Sequence, residues 1–463
     1  MKKGSSSTIF LLIALVGLSA WYFLYEKHFK LDKSKLEEKA KLLVPFSKED
    51  IQELEIFHSK SETIKLQRSG QDWHLVSPVN DLADSSTIAS MLTALTSAQE
   101  ERQIESNASD LAPYGLVDPL LKIKARKDAN SEVEIWIGAQ TEVGFGSYAK
   151  LAQRSPIYKI NRSLPSAFEK SVFEIRNKKL VMIPKEELKE VEIQNTSGSF
   201  LLNKEENGKW FLAREGMPTD SASWARLLNS ITELRATAIV SETATNLAKF
   251  GLARPAIQLW VTPLNKTKKQ ILVGLVAEKV FAKTEDKPFI YELDKTVVKE
   301  LQKPASDLRD KHLVAFDRFS VSKIRFSGIN NFEIKKDGSG WVFSEPEKNE
   351  RIDSSQVEQW LTQLQDVNVK RFMGPASKSV LKSPLLKLEL YESKDQKENL
   401  AAELELSPNT LEVSGKSSYL PLAWIINLED WKHLNLSKKD FLEKPASQTQ
   451  EKPLENNNPE KKS

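Results

Sequence analysis

The sequence predicts an α+β protein in which one N-terminal transmembrane helix is followed by three tandem repeated modules of antiparallel sheet plus helices, the third module degenerate. Three observations carry this expectation. An uncharged apolar run extends from Ile9 to Leu24, a Trp strand followed by an Asp-led amphipathic helix recurs three times, and short runs of alternating apolar and polar residues follow each helix. A chain of 463 residues also exceeds what one ordinary hydrophobic core organises, so several domains or a row of modules are expected.

The apolar run comes first. At about 1.5 Å rise per residue it covers most of a hydrocarbon core roughly 30 Å thick, and Trp21, Tyr22 and Tyr25 crowd its C-terminal end, where an aromatic belt would sit. A cleaved signal peptide is the rival reading, because Lys2 and Lys3 form a suitable basic start and Gly17-Leu18-Ser19 a weak small-residue site. Large aromatics directly after that site favour an uncleaved anchor. A short basic N-terminus usually stays inside, which places the body outside the cytoplasm, whereas a bare count of the lysines from Lys27 to Lys41 points the other way. The expected location is the bacterial inner membrane, single-pass, with the body periplasmic or otherwise extracytoplasmic. Residues 26–47 then read as a charged helical stalk, and residues 437–463, almost free of apolar side chains, as a disordered polar tail.

Between stalk and tail the chain compares with itself. Trp73-His-Leu-Val76, Trp210-Phe-Leu212 and Trp341-Val-Phe343 each follow a strand pair and a turn containing Gly70, Gly208 or Gly338, and each leads to an Asp: Asp84, Asp220 or Asp353. The spacing of about 130 residues is that of a domain. It divides the body into modules at 48–183, 184–316 and 317–436, after the 1–25 basic tail and anchor. Behind the three Asp residues, apolar side chains fall at the same offsets: Ile88, Met91, Leu92, Leu95 and Ala98; Trp224, Leu227, Leu228, Ile231 and Leu234; Val357, Trp360, Leu361, Leu364 and Val367. That is one face of a helix with a period near 3.6, and the Asp in front is read as an N-cap rather than a metal ligand or general base.

Modules one and two agree again after the helix. Tyr114-Gly115-Leu116 with Pro119 matches Phe250-Gly251-Leu252 with Pro255, an aromatic-Gly-Leu turn in which Gly takes a positive φ and the ring packs inward. Alternating strands follow, one of each pair ending at Gly138 or Gly274, and the modules close on Arg176-Asn-Lys-Lys-Leu-Val181 and Arg309-Asp-Lys-His-Leu-Val314. The third copy keeps the Trp strand and helix but lacks the aromatic-Gly-Leu turn, and Asp430-Trp-Lys-His-Leu434 is its faint match to the closing segment.

These features together resemble the bacterial domain-of-unknown-function 4340 family: an N-terminal anchor, the Trp strand and Asp helix start, Tyr-Gly-Leu-x-x-Pro, a Gly ending a strand and the Arg-x-Lys-x-Leu segment. The match covers residues 50 to 316 and the first half of 317 to 436. Members look like envelope proteins associated with ABC transporter components of the gliding-motility auxiliary type. The resemblance implies an accessory role beside a transporter and brings no catalytic residues.

The residues themselves restrict the chemistry. No cysteine is present, so thiolate nucleophiles and cysteine-ligated metals are excluded. The five histidines are isolated, no Gly-Lys-Ser/Thr phosphate loop occurs, and no Gly-x-Ser-x-Gly elbow exists. With 67 basic and 64 acidic residues, no overall field favours nucleic acid. Trp73, Trp210 and Trp341 read as core rather than as stacking platforms. Arg176 and Arg309 read as module-closing ion pairs, with Glu174 and Asp307 as candidate partners, rather than as an anion site. The expectation is a non-enzymatic, membrane-anchored envelope protein without cofactor or metal, serving as scaffold or accessory subunit of a membrane complex such as an ABC transporter. The alternative is a binding module for a cell-wall, lipid or peptide ligand in clefts between modules. A hydrolase would need a polar cleft of paired titratable groups that the linear sequence hides.

Overall fold

The computed structural model describes residues 14–19, 21–22, 40–59, 61–142, 144–264, 267–338, 340–347, 350–375, 384–394 and 397–443. The chain divides into two compact units between Lys179 and Leu180.

The first unit is built on one nine-stranded antiparallel sheet. Strands β1 (Glu53–His58), β2 (Ile64–Ser69), β3 (Asp72–Ser77) and the two-residue β4 (Asp81–Leu82) run as a meander to one edge. Helix α1 (Ser85–Thr96) then crosses to the far edge, where β5 (Arg102–Glu105) lies, and β6 (Leu121–Asp128), β7 (Ser131–Gln140), β8 (Gly146–Leu151) and β9 (Ile157–Asn161) fill the space between. The resulting order is β4-β3-β2-β1-β6-β7-β8-β9-β5. Register explains the core: Leu54 faces Leu66 on one side and Ala125 on the other, and Ile56 faces Ile64 and Ile123, so period-two alternation puts one apolar row on one face. Onto that face α1 turns Ile88, Met91, Leu92 and Leu95, all buried. Two short helices, α2 (Ser163–Phe168) and α3 (Val172–Ile175), complete the layer.

The second unit holds two such sheets. In one, β10 (Leu188–Asn195), β11 (Gly198–Lys204), β12 (Trp210–Leu212), β13 (Met217–Pro218), α4 (Ser221–Thr232), β14 (Ala236–Ser241), β15 (Ile257–Pro263), β16 (Lys269–Val276), β17 (Lys279–Thr284), β18 (Ile290–Leu293) and α5 (Thr296–Leu301) repeat the first unit's order strand for strand. The other comprises β19 (Val321–Gly328), β20 (Phe332–Asp337), β21 (Gly340–Phe343), α6 (Ser354–Asp366), β22 (Arg371–Pro375), β23 (Leu386–Lys394), β24 (Lys397–Pro408), β25 (Val413–Ser417), β26 (Leu422–Ile426) and α7 (Leu428–Leu434). Its order, β21-β20-β19-β23-β24-β25-β26-β22, differs in that the two-residue edge strand has no counterpart among the described residues.

Two expectations need correction. The α+β balance gives way to a fold made mostly of antiparallel sheet: nine, nine and eight strands are served by one helix of three turns or so per sheet and a few single-turn helices. The physical reason is that the 3.6-residue period occurs once in each module, whereas the two-residue period fills the rest. The membrane anchor is also overturned. Among the described residues no helix is long and apolar enough to cross a membrane. Of the apolar run, Ala14–Ser19 and Trp21–Tyr22 are described, and they are helical. The N-terminal transmembrane helix and the single-pass inner-membrane location lose their support together. The rest of the run, most of the stalk and residues 444–463 lie outside the described residues.

The stalk's last residues belong to the first body. Leu43 and Val44 are buried, and the Leu43 N–H donates to the Ala98 carbonyl at 2.9 Å. Leu180 N–H donates to the Leu234 carbonyl at 2.9 Å, and Val369 N–H to the Lys311 carbonyl at 2.7 Å. Lys41-Leu-Leu-Val44, Lys178-Lys-Leu-Val181 and Lys311-His-Leu-Val314 are therefore three copies of one lead-in that docks beside the end of each module's helix. The modules close at the helix start: the N–H groups of Asp84, Asp220 and Asp353 donate to the carbonyls of Ile175, Leu308 and Phe441 at 2.8, 2.8 and 2.9 Å.

Candidate functional site

The residues singled out by repetition assemble into three devices that recur from module to module. The first joins the Trp strand to the helix. Trp73, Trp210 and Trp341 are all buried; the Trp210 ring lies 4.5 Å from that of Trp224 on α4, and Trp341 Nε1 donates to Glu358 on α6 at 2.9 Å. Asp84 accepts from the Thr87 N–H at 2.9 Å, Asp220 from Ser223 at 2.7 Å and Asp353 from Ser355 at 2.9 Å, so all three cap their helices. Burial pushes the Asp84 carboxyl up, but hydrogen bonds from Ser86 and Thr87 with the nearby charge of Lys178 outweigh it and hold the group below the ordinary aspartate range. Asp220 behaves alike: burial raises it, and Ser223, Arg226 and His312 together bring it lower.

The second device is the aromatic-Gly turn. Gly115 and Gly251 adopt φ of 66° and 68°, and the preceding rings, Tyr114 and Phe250, meet Tyr148 and Phe281 edge-on with centroids 5.1 Å apart in both modules. The turn lies against the paired strand, where Gly138 and Gly274 leave the space: a Cβ on either would fall inside contact distance of the Tyr114 or Phe250 carbonyl oxygen. Pro119 and Pro255 follow the turn and precede β6 and β15. Gly274→Ala is expected to cost about 1–3 kcal/mol by overpacking, whereas Gly374→Ala, with open space around it, should stay within about 0.5 kcal/mol. Equal denaturation midpoints for the two variants would contradict this account of the motif.

The third device is the closing clasp, and its partners differ from those expected. Arg176 Nε pairs with Asp81 at 2.8 Å, both side chains 2% exposed. Arg309 grips Glu215 through two nitrogens at 2.9 and 3.1 Å in a more open setting. The acidic partners thus come from the segment just before the capped helix, not from Glu174 and Asp307 beside the arginines. In the third module Leu442 takes the bridge position of Arg176 and Arg309, facing Ile352 as they face Ala83 and Thr219. The match to the closing segment is therefore Phe441–Glu443 and not Asp430–Leu434.

Within the second unit a polar joint ties module two to module three. The Tyr419 hydroxyl donates to Asp310 at 2.6 Å, and His312 Nδ1 lies 2.6 Å from the other carboxylate oxygen. Burial, and then the bond to Asp310, push the Tyr419 hydroxyl well above its ordinary range. The outer sheet faces carry charges that answer one another across strands: Arg126 with Glu53 at 2.6 Å and Glu132 at 3.3 Å, Lys65 with Glu55 at 3.2 Å, Arg325 with Glu333 at 2.9 Å and Lys387 with Glu403 at 3.4 Å. Among the described residues no group of three or more His, Asp or Glu is placed to hold a metal ion.

One feature departs from the repeat. In module two the lead-in and the strands β15 to β17 leave a recess of about 320 Å³. Its walls include Val181, Ile183, Val261, Ile271 and Thr284, all buried. At the mouth Lys269 reaches Asp286 at 3.5 Å. Sequence reasoning missed it because its signal is a set of smaller side chains at aligned positions, visible only once the lead-ins are matched.

The arrangement defines a class of protein: a series of homologous sheet modules whose shared residues build the frame. The family model described as a domain of unknown function (DUF4340) matches residues 73–216 and again 210–384, and the chain belongs to that family. Both matches begin at a Trp strand, and the first runs past Trp210, so the family's sequence unit is offset from the structural module and spans its closing clasp and the next lead-in. No curated protein matches the chain, and no solved structure does.

Proposed function

We propose that this protein is a non-catalytic interaction scaffold, an accessory subunit whose repeated residues supply the frame and whose unrepeated residues supply recognition. The observation that carries the reading is where the repeated polar groups go. Each capping Asp is turned onto its own helix, each clasp Arg onto its own module, and the outer faces pair their charges internally. Function then falls to what differs between modules, and the apolar recess of module two is one such difference. A component of an ABC transporter, the association implied by the family resemblance, is the first partner to look for. Chemical crosslinking in cells, followed by purification of the tagged full-length chain, is expected to yield one or a few discrete adducts. Recovery of the chain alone under crosslinking and under mild purification would overturn the scaffold reading.

A further inference from the structure

We propose that the recess in module two is a slot for an aromatic side chain of a partner polypeptide. The inference rests on the scaffold reading for the nature of the partner, and on the other two modules for the shape of the guest.

The positions correspond through the hydrogen-bond ladder. Ala125 pairs with Leu54 and Val133, as Val261 pairs with Val191 and Lys269. Ile135 pairs with Leu151, as Ile271 pairs with Thr284. In the lead-ins, Phe46 stands three residues beyond Leu43, and Ile183 three beyond Leu180, the two residues whose N–H groups dock beside the helix end. Phe316 stands four beyond His312, which bridges to Asn368 as Leu42 does to Gln99. Module one therefore fills this place with Phe46, Val133 and Leu151, all packed in or against its core. Module three also supplies a half-buried phenyl ring, Phe316. Module two has Ile183, Lys269 and Thr284 instead. Ile is shorter than Phe, Thr shorter than Leu, and the Lys269 ammonium swings out to Asp286 at the mouth rather than filling the interior.

The space left is of the right size and character. An apolar cavity of about 150 Å³ accepts benzene, so about 320 Å³ holds a phenyl ring with part of its backbone. The walls are mainly apolar, with the Thr284 hydroxyl as a polar group among them, and the charged side chains of Lys268, Lys269, Glu285 and Asp286 stand at the exposed rim, as in pockets that take an aromatic anchor. What the sibling modules provide from their own chain, module two is shaped to receive from another.

The test uses the full-length chain with labelled methyl groups and N-acetyl-L-phenylalanine amide as the probe. Saturable shifts are expected at Ile183, Ile271 and Val261, with none of that size from N-acetyl-L-alanine amide. Ile183→Phe should raise the melting temperature of the second unit by about 2–4 °C, as cavity filling does, and weaken probe binding at least tenfold. Thr284→Leu, which narrows the slot from the opposite wall, should also weaken binding, and decides the matter if Ile183→Phe does not fold. Unshifted Ile271 at millimolar probe, equal shifts from both amides, or undiminished binding in the folded variants would overturn the slot. Probe binding without any crosslinked partner in cells would leave the slot standing and remove the scaffold reading. A partner captured equally well by wild type and Ile183→Phe would do the reverse.

Discussion

Asp81→Ala is expected to destabilise the first unit by about 3–5 kcal/mol, the range found when one member of a buried ion pair is removed. Arg176 would then keep its charge in a site where it is 2% exposed, with the Nε that bonded Asp81 at 2.8 Å left without that carboxylate. For a unit of this size the corresponding fall in melting temperature is on the order of 10 °C. The same substitution at the homologous clasp should be much milder. Glu215 is 28% exposed and Arg309 22%, so water can replace the lost partner, and Glu215→Ala should cost about 1 kcal/mol or less. Replacing Asp81 and Arg176 together by Leu and Met should recover most of the loss, because the buried charge is then removed along with its carboxylate. Calorimetric unfolding of the three variants checks this, and a mild effect of Asp81→Ala would show that the clasp does not hold the first module shut.

Phe441→Ala should destabilise the second unit by about 3–5 kcal/mol, the range for removing a fully buried aromatic ring. Phe441 is fully buried, with ring centroids 5.9 Å from Phe326, 5.9 Å from Phe332 and 6.2 Å from Trp360. Its carbonyl also receives the Asp353 N–H at the start of α6. It closes the third module as Ile175 and Leu308 close the others. A chain ended at Leu436 should lose at least as much. Denaturant midpoints decide the point, followed by tryptophan fluorescence, to which Trp341 and Trp360 contribute among the chain's ten tryptophans. A midpoint unmoved by either change would mean that residues 437–443 are not part of the third module.

The contrast between these residues shows what a linear reading can and cannot reach. The helix faces behind Asp84, Asp220 and Asp353 were legible because a 3.6-residue period and an N-cap are local signals, complete within fifteen residues or so. The positive φ of Gly115 and Gly251 was legible for the same reason. The need for glycine at Gly138 and Gly274 was only half legible: their place at a strand end could be read, but the carbonyl of the turn that lies against them comes from elsewhere in the module. The partner of Arg176 was not legible, since Asp81 is far from it in sequence and nearer carboxylates compete on paper. Phe441 was hidden by composition, a single apolar cluster, Phe441-Leu442, in a stretch dominated by Lys, Glu, Pro and Asn.

The slot in module two belongs to what sequence could not show. It is made of what Ile183 and Thr284 lack relative to Phe46 and Leu151, and Lys41-Leu-Leu-Val44 had to be recognised as a lead-in, rather than the end of a stalk, before that comparison existed. Repetition in this chain identifies the frame, and under the proposed function departure from repetition marks where a partner would be held.

Photocrosslinking from two positions in living cells tests that claim most directly. A photoreactive residue replaces Thr267, exposed at the rim of the slot, or Glu134, on the outer face of the first sheet beside Trp136. The account predicts a discrete adduct from position 267 that disappears when Ile183→Phe is added, and none of comparable yield from position 134. Equal adducts from both positions, or an adduct at 267 untouched by Ile183→Phe, would contradict it.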